Sequence, residues 1–491
     1  MAALLAALTS WCMEARHRRT TLLHGHLDAR NARCGEGRMR TRIVLLEQHE
    51  QELRSILFDQ PGIEGAAFVL CGEASTGETL KLVAHSVVAI PPGDFLERKH
   101  DRLSIRSAAL TRVAKLARHE GLSVVFVHSH PGGFAEFSKQ DDAEEEKFIP
   151  FFQSRVPGKL HGTLVMTQDA LVGRIYAECR HDVEQIVVVG QRFRLYTRGG
   201  INDFALFDRQ VRAFGPEIQL ALSGLVVGIV GLGGTGSACA EQLARLGVGT
   251  LVLFDHDTLS KTNLNRVYGA TLKDVGKNKA VIAKNRLDAI GLDTGVEAIP
   301  DSIEEQTVAK RLRDCDVVFG CTDRELPRAI LSKLATAYHI PLIDMGVVID
   351  SHGGIIQGVY GRATTVLAGE PCLLCRGRIS AEGLRVEGLS DSDRDRQVQQ
   401  GYAPELATPA PAVIAFTTMV ASHAVTELLH RLTGFMGASR QSTEVLLFID
   451  KGRIAANRRN PEEGCFCEDV AEWGRGDEAP YLGMVWRLMP R

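Results

Sequence analysis

His128, His130, Ser138 and Asp141 fall in one short stretch, VHSHPGGFAEFSKQDD. Residues two apart on a strand face the same side, so the two imidazoles project together. Residues three apart on a helix share a face, so Ser138 and Asp141 can both turn back toward them. Two imidazoles and one carboxylate are three ligands for zinc and leave the fourth tetrahedral position open to water. Such a site hydrolyses amides when a nearby carboxylate takes the proton from that water. A lone His-x-His is more commonly an ordinary core or surface pair. Pro131 and the seven-residue gap to Ser-x-x-Asp make the full string far more specific.

A second set lies further along. Gly231, Gly233, Gly234 and Gly236 stand in GLGGTGS, after an apolar strand pattern and at the head of a helical one. Glycines there permit a tight turn and close approach of backbone to phosphate, and a helix N-terminus favours the anion. Alone, the pattern most often signals NAD. The residues C-terminal to it point elsewhere: Asp255 at the end of the next strand, the run DHDTLSKTNLNR, then GKNK, then Cys321-Thr322-Asp323. No G-x-x-x-x-G-K-[ST] is present, which disfavours a P-loop NTPase. Cys372-Leu-Leu-Cys375 and Cys465-Phe-Cys467 form two tight thiol pairs among eleven cysteines. In a reducing compartment that spacing indicates metal rather than a disulfide framework.

The elements that must position these residues are readable from periodicity. Residues 1–40 show none and are expected to be a disordered leader. From Thr41, TRIVLL reads as a strand, EQHEQELRSILF as an amphipathic helix, and GAAFVLCG and LKLVAHSVVAI as strands. SAALTRVAKLARHEG comes next as a helix closed by glycine, then LSVVFVHSH as the buried strand bearing the histidines. This is an α+β unit over 41–196, with a polar connection at 197–202. Over 203–470 the order becomes strand, glycine turn, helix, strand, which is the doubly wound α/β arrangement. Residues 471–491 read as a tail.

Composition excludes several classes. A chain of 491 residues needs two or three domains, and 45% hydrophobic with 24% charged residues is ordinary for globular proteins. Lys plus Arg is 57 and Asp plus Glu 60, a net charge of -3, which gives no general attraction to nucleic acid or an anionic membrane. The uncharged stretch from Ile218 to Ala240 contains six glycines, and that from Leu406 to Thr426 contains Pro409 and Pro411. Neither reads as a membrane span. The N-terminal apolar run precedes its arginines, the reverse of a secretory signal, so a cytoplasmic location is expected.

Around His128, His130, Ser138 and Asp141 the chain resembles the JAMM (MPN-plus, or JAB) metalloproteases, the class that includes deubiquitinating isopeptidases. The resemblance covers roughly Thr41 to Tyr196. It implies a catalytic zinc on His128, His130 and Asp141. It also implies a general base at Glu64, which precedes a glycine-bearing strand, and a role for Ser138 toward the oxyanion or the water.

From 203 to 470 the chain resembles the ThiF-like branch of the ubiquitin-activating enzymes, Rossmann-like adenylyltransferases that load the C-terminus of a small protein with AMP. The resemblance implies ATP held by the glycine loop, Asp255 on the ribose hydroxyls, and Asn263, Arg266 and Lys279 on the phosphates. It places Mg²⁺ on Asp323 and lets Arg209, in FDRQ, reach a homodimer partner's nucleotide. It implies a structural zinc on Cys372, Cys375, Cys465 and Cys467, the second pair departing from the usual Cys-x-x-Cys. Thioester-forming members carry a cysteine in the loop corresponding to 379–408, and this loop has none.

The combined expectation is a bifunctional enzyme acting on a ubiquitin-like or sulfur-carrier protein with a Gly-Gly C-terminus. One half would trim or deconjugate that protein and the other would adenylate it, with a sulfur donor or a conjugating partner taking the acyl group. Cys315 or Cys321 as a cryptic nucleophile is disfavoured. The alternatives are the same chemistry on a short peptide or small carboxylic acid, and a binding scaffold with a non-catalytic first half.

Overall fold

The computed structural model describes residues 39–197, 204–387, 396, 410–437 and 442–486. The expected leader, most of the 197–202 connection and much of the 379–408 loop lie outside these residues.

The first unit comprises β1 (Arg40–Leu46), α1 (Glu47–Leu57), β2 (Ala66–Glu73), β3 (Thr79–Ala89) and a small hairpin of β4 (Phe95–Arg98) and β5 (Leu103–Ile105). After it come α2 (Ser107–Glu120), β6 (Ser123–Ser129), α3 (Lys139–Arg155), β7 (His161–Met166), β8 (Leu171–Tyr176), β9 (Arg180–Asp182), β10 (Gln185–Val189) and β11 (Arg194–Thr197). Nine of the strands form one mixed sheet in the order β11-β10-β1-β3-β2-β6-β7-β8-β9. Strand alternation sorts its side chains between two faces. Ala67, Val69, Val125 and Val127 pack with Leu53 and Leu57 of α1. Phe68, Leu70, Val124 and Phe126 pack with Val113 of α2 and Phe148 and Phe152 of α3. By the same parity His128 belongs to the face that α3 covers. The glycine expected to close α2 does so, Gly121 having φ of 68°.

The second unit contains α4 (Asp208–Phe214), α5 (Pro216–Gly224), β12 (Val226–Val230), α6 (Gly234–Arg245), β13 (Thr250–Phe254), α7 (Lys279–Asp288), β14 (Gly295–Ile299), α8 (Gln306–Ala309), β15 (Val317–Gly320) and α9 (Glu325–Tyr338). It continues with β16 (Leu342–His352), β17 (Ile355–Val366), α10 (Ala381–Glu387), α11 (Ile414–Thr433), β18 (Glu444–Phe448) and β19 (Arg453–Ala456). Its sheet runs β14-β13-β12-β15-β16-β17-β18-β19. The strands from β14 to β16 are parallel, and β17 onward pair antiparallel. Strand order reverses at β12, between β13 and β15, and the crevice beyond the carboxyl ends there is where an α/β sheet of this kind binds a ligand. Among the described residues no helix is long and apolar enough to cross a membrane.

The two units share packed interior. Val44, Leu46, Val187 and Val189 of the first sheet, with Phe193 between β10 and β11, lie in one cluster with Leu222, Leu225 and Val227 of the second unit. Arg42 pairs with Asp316, both buried, and buried Lys81 donates through Nζ to the carbonyls of Arg313 (2.9 Å) and Cys315 (3.2 Å). The segment after 470, expected as a tail, is anchored to the body at several residues. Trp473, Tyr481 and Leu482 are buried. The Gly72 amide donates to Gly474 O (3.1 Å), the Gly474 amide to Thr336 O (3.1 Å) and the Asp477 amide to Glu73 O (2.7 Å), so this segment joins β2 to α9. Glycine permits the approach, since a Cβ on Gly72 would sit 2.3 Å from Gly474 O.

His49, His85 and His339 are buried at this joint. The rings of His49 and His339 are 5.9 Å apart. His339 Nε2 donates to Ala84 O at 2.6 Å and His85 Nδ1 to Trp473 O at 2.7 Å. Burial, reinforced by neighbouring imidazoles, lowers His49 from 6.5 to about 4 and His339 to about 3. Below 6.5 the unfolded chain takes up protons that the folded chain refuses, so stability is unaffected above that pH and falls as pH drops toward 4. The melting temperature is therefore expected to decline through that window. His339→Asn, which tolerates the left-handed φ of 51° at this position, should make the decline shallower. An equally steep decline in the variant would reject the assignment.

Candidate functional site

The end of β6 and the start of α3 meet as the alternation requires. His128 Nε2 lies 3.1 Å from His130 Nε2 and 3.0 Å from Asp141 Oδ1, and His130 Nε2 lies 3.5 Å from Asp141 Oδ2. Zinc bonds of about 2.0 to 2.2 Å give a tetrahedron with ligand–ligand edges of about 3.3 to 3.6 Å. The three separations fall at or just under that range, so the residues fit the metal. His130 Nδ1 donates to Phe134 O at 3.0 Å, which fixes the tautomer that leaves Nε2 free to coordinate. His128 has no such support; its Nδ1 is buried without a hydrogen-bond partner, and its ring stacks on Phe126. Burial acts against the Asp141 charge, but the adjoining imidazoles of His128 and His130 hold its carboxyl far below the usual range.

Ser138 does not lie within the helix, as the three-residue spacing suggested, but caps it. Its Oγ accepts from the Asp141 amide (3.2 Å), while its own amide donates to Asp141 Oδ2 (2.6 Å). The cap therefore orients the Asp141 carboxylate and leaves the Ser138 hydroxyl proton free to donate into the cleft. Glu64 is fixed by its backbone, its amide donating to Lys99 O (2.9 Å) and its carbonyl accepting from Arg98 Nε (2.7 Å). Its side chain lines the same cleft of about 290 Å³ as His128, Ser138 and Asp141. Burial raises the Glu64 carboxyl above the ordinary range against the opposing pull of the two imidazoles.

At the second site, Gly231 ends β12 with φ of 90°, and a Cβ on Gly236 would lie 1.8 Å from Gly231 O. Asp255 at the end of β13 is buried. Its Oδ2 accepts from the Leu232 amide (2.6 Å) and its Oδ1 from the Asp257 amide (2.8 Å), tying it to the glycine loop. Lys279 opens α7, with Nζ 2.7 Å from Asp257 Oδ2. Cys321 to Asp323 come directly after β15, with the Cys321 carbonyl pressed against Gly231. Asn263 and Arg266 sit in and just after a short turn, where Asn263 Oδ1 accepts from the Ser260 amide (3.1 Å) and Arg266 Nη1 donates to Thr262 O (2.8 Å). The structure thus gathers the loop, Asp255, Lys279 and the Asp323 turn at one crevice. Arg209 is elsewhere. Its neighbour Gln210 donates to Arg245 O (2.9 Å), at the far end of α6 from the loop, about 18 Å along a helix of 12 residues. Sequence reasoning missed Asp257, the partner of Lys279, and Asn278, whose side chain donates to Asp255 O (2.7 Å) and caps α7. The only signal for the first was the repeated acid in Asp-His-Asp.

The four paired cysteines converge. Cys372 Sγ is 3.8 Å from Cys375 Sγ and 3.7 Å from Cys465 Sγ, and Cys375 Sγ is 3.6 Å from Cys467 Sγ. Zinc–sulfur bonds of about 2.3 Å require an edge of about 3.8 Å, which these three separations match, so the shortened Cys-x-Cys keeps its thiols within reach of one ion. The remaining thiols of this half are buried or nearly so: Cys239 packs on Met345 (3.8 Å) and Cys321 on the same sulfur (4.0 Å). Burial pushes the Cys315 and Cys321 thiols well up, a poor setting for a nucleophile.

Residues 207–467 match the ThiF family and residues 46–171 match prokaryotic homologs of the JAB domain. The chain is 33% identical over 178 residues to the molybdopterin-synthase adenylyltransferase of Escherichia coli, covering 36% of this chain and 69% of that one. It is 32% identical over 161 residues to the SAMP-activating enzyme E1 of Haloferax volcanii (33% and 56%). To the sulfur carrier protein ThiS adenylyltransferase of Bacillus subtilis it is 32% identical over 164 residues (33% and 46%). A crystal structure of E. coli MccB with MccA-N7isoASN is similar at 19% identity and a TM-score of 0.44, covering 54% of this chain and 75% of that one. The doubly wound second unit and the more-than-half coverage agree: the chain belongs to the ThiF family of adenylyltransferases and carries a JAB domain ahead of its ThiF domain.

Proposed function

We propose that the chain is a bifunctional enzyme that trims or deconjugates a ubiquitin-like or sulfur-carrier protein and adenylates its C-terminal glycine. The observation that carries the first activity is the convergence of His128, His130 and Asp141 at zinc-ligand spacing in a cleft that Glu64 also lines. Zinc held there supplies Lewis-acid activation of water and of the scissile carbonyl. Glu64 takes the proton of the attacking water and returns it to the leaving amine as the C–N bond breaks. The Ser138 hydroxyl donates to the oxygen that becomes negative.

In the second site the glycine carboxylate attacks the α-phosphorus of ATP and pyrophosphate leaves, giving the acyl-adenylate. Asp255 holds the ribose. Asn263, Arg266 and Lys279 meet the phosphates, and Asp323 holds Mg²⁺, so that cations face the charge that gathers in transfer. Lys279 must leave Asp257 to do so. The distance of Arg209 from its own loop supports service to the partner in a homodimer. With no cysteine in the 379–408 loop, an external sulfur donor or a partner's thiol receives the acyl group.

The test compares wild type with Glu64→Ala, purified from native lysate with ATP and Mg²⁺, by intact-mass spectrometry of co-purifying small proteins. A partner longer in the variant and trimmed to Gly-Gly by wild type is expected. The variant should lose cleavage by about 10²- to 10⁴-fold and keep ATP–pyrophosphate exchange. Cleavage persisting in Glu64→Ala would defeat the peptidase assignment.

A further inference from the structure

One cation at the nucleotide crevice takes no part in the chemistry assigned so far. Arg324 directly follows Asp323, between β15 and α9, and its amide donates to Thr322 Oγ1 at 3.1 Å. Its guanidinium does not stay beside that turn. Nη1 pairs with Glu304 Oε1, in the connection that follows β14. In the sheet β12 and β13 stand between β15 and β14. The ion pair therefore joins two loops across the carboxyl ends of β12 and β13, which lead into Gly231 and Asp255. That is the switch-point crevice, where a ligand of such a sheet sits. On its other side Arg324 Nε lies 3.9 Å from Glu387 Oε2. Glu387 is anchored to α9 rather than to the arginine, since it accepts from the amides of Glu325 and Leu326, each at 2.8 Å.

Lys279 is held in the same manner, on Asp257 at 2.7 Å. Burial works against the Asp257 charge, yet Lys279, with His256 and Arg324 adding to its effect, keeps that carboxyl below the usual range. Arg324 is thus within electrostatic reach of the Lys279 pair, and both cations meet carboxylates that a polyphosphate would replace. The Arg324 side chain is 33% exposed, so a ligand in the crevice can touch it. An ion pair open to solvent to that degree contributes little. A phosphate carries more charge, and the planar guanidinium fork can give it two parallel hydrogen bonds. We propose that Arg324 is a further phosphate-binding residue of the adenylation site, passing from Glu304 to the polyphosphate of ATP when nucleotide binds. This rests on reading the crevice as the adenylation site.

The test uses the full chain with Mg²⁺ and measures Kd for ATP, and for adenosine through its displacement of radiolabelled ATP. Arg324→Gln should weaken ATP by about 10- to 100-fold and leave adenosine as in wild type, which also shows the variant folded. Arg324→Lys, keeping the charge without the fork, should fall between the two. Glu304→Gln, which releases the guanidinium, should tighten ATP by about 2- to 5-fold without moving adenosine. ATP bound equally well by Arg324→Gln and wild type, or ATP and adenosine weakened alike, would overturn the inference and leave the adenylation site standing. If Asp255→Ala binds both ligands as wild type does, the nucleotide lies outside this crevice, and that reading falls together with the inference.

Discussion

Gly236→Ala is expected to cut ATP–pyrophosphate exchange by at least about 100-fold while peptidase activity persists. The added Cβ would lie 1.8 Å from the Gly231 carbonyl oxygen. That neighbour is backbone, not the end of a flexible side chain, and Gly231 is already committed to φ of 90° with the Cys321 carbonyl behind it. The clash is relieved only by moving the loop, which swings its amides away from the phosphates and loosens the start of α6. Gly233→Ala provides the contrast. A Cβ there meets nothing within 4 Å, and φ is -72°, so its melting temperature should match wild type. Any exchange it loses then reports nucleotide approach alone. A fully active Gly236→Ala protein would mean that the phosphates bind elsewhere.

Cys467→Ser is expected to remove one of two zinc equivalents and to destabilise the second unit by about 3 kcal/mol or more, on the order of 10 °C in melting temperature. Cys372, Cys375 and Cys467 are buried and Cys465 is half-buried. The quartet closes a loop from 372 to 467, and the Cys467 carbonyl accepts from the Gly369 amide (2.9 Å) and from Trp473 Nε1 (3.2 Å). Loss of the metal therefore also loosens the segment that carries Trp473 across the joint. Metal analysis by mass spectrometry and a thermal melt decide the matter. Unchanged zinc content in the variant would show that the sulfurs are not the ligands.

Much of the fold, and the place of the two candidate sites on it, is legible in the sequence because the elements that carry them are periodic. Period-two alternation in β6 puts His128 on the face α3 covers without any knowledge of contacts, and GLGGTGS predicts a strand, a turn and a helix that β12, Gly231 and α6 provide. The rest depends on contacts between residues far apart in the chain. Glu145 looks like any acid in a run of three glutamates; only Arg174 and Tyr176, 29 and 31 residues later, take it as a hydrogen-bond partner and bury it. The packed segment after 470 is misread as a tail because of its glycines and charges, whereas Gly72 and Gly474 create a fit that neither stretch displays alone. Ser138 shows the intermediate case: its place near the site is readable, but its hydrogen bond as a helix cap requires the actual start of α3.

The shared interior has a consequence for how the chain folds as it is made. Val44, Leu46, Val187 and Val189 belong to the first sheet, yet they share one apolar cluster with residues synthesised later, among them Leu428 and Leu432 of α11, whose end the Phe193 amide meets by donating to Arg431 O at 2.8 Å. When the first sheet can already pair on the ribosome, one of its faces is still an uncovered apolar edge, and it stays so while more than two hundred further residues emerge, at roughly 5 to 20 per second. Nascent chains of this protein therefore pass through a sticky interval of tens of seconds in which a holdase, or slow concentration build-up, decides between docking and aggregation.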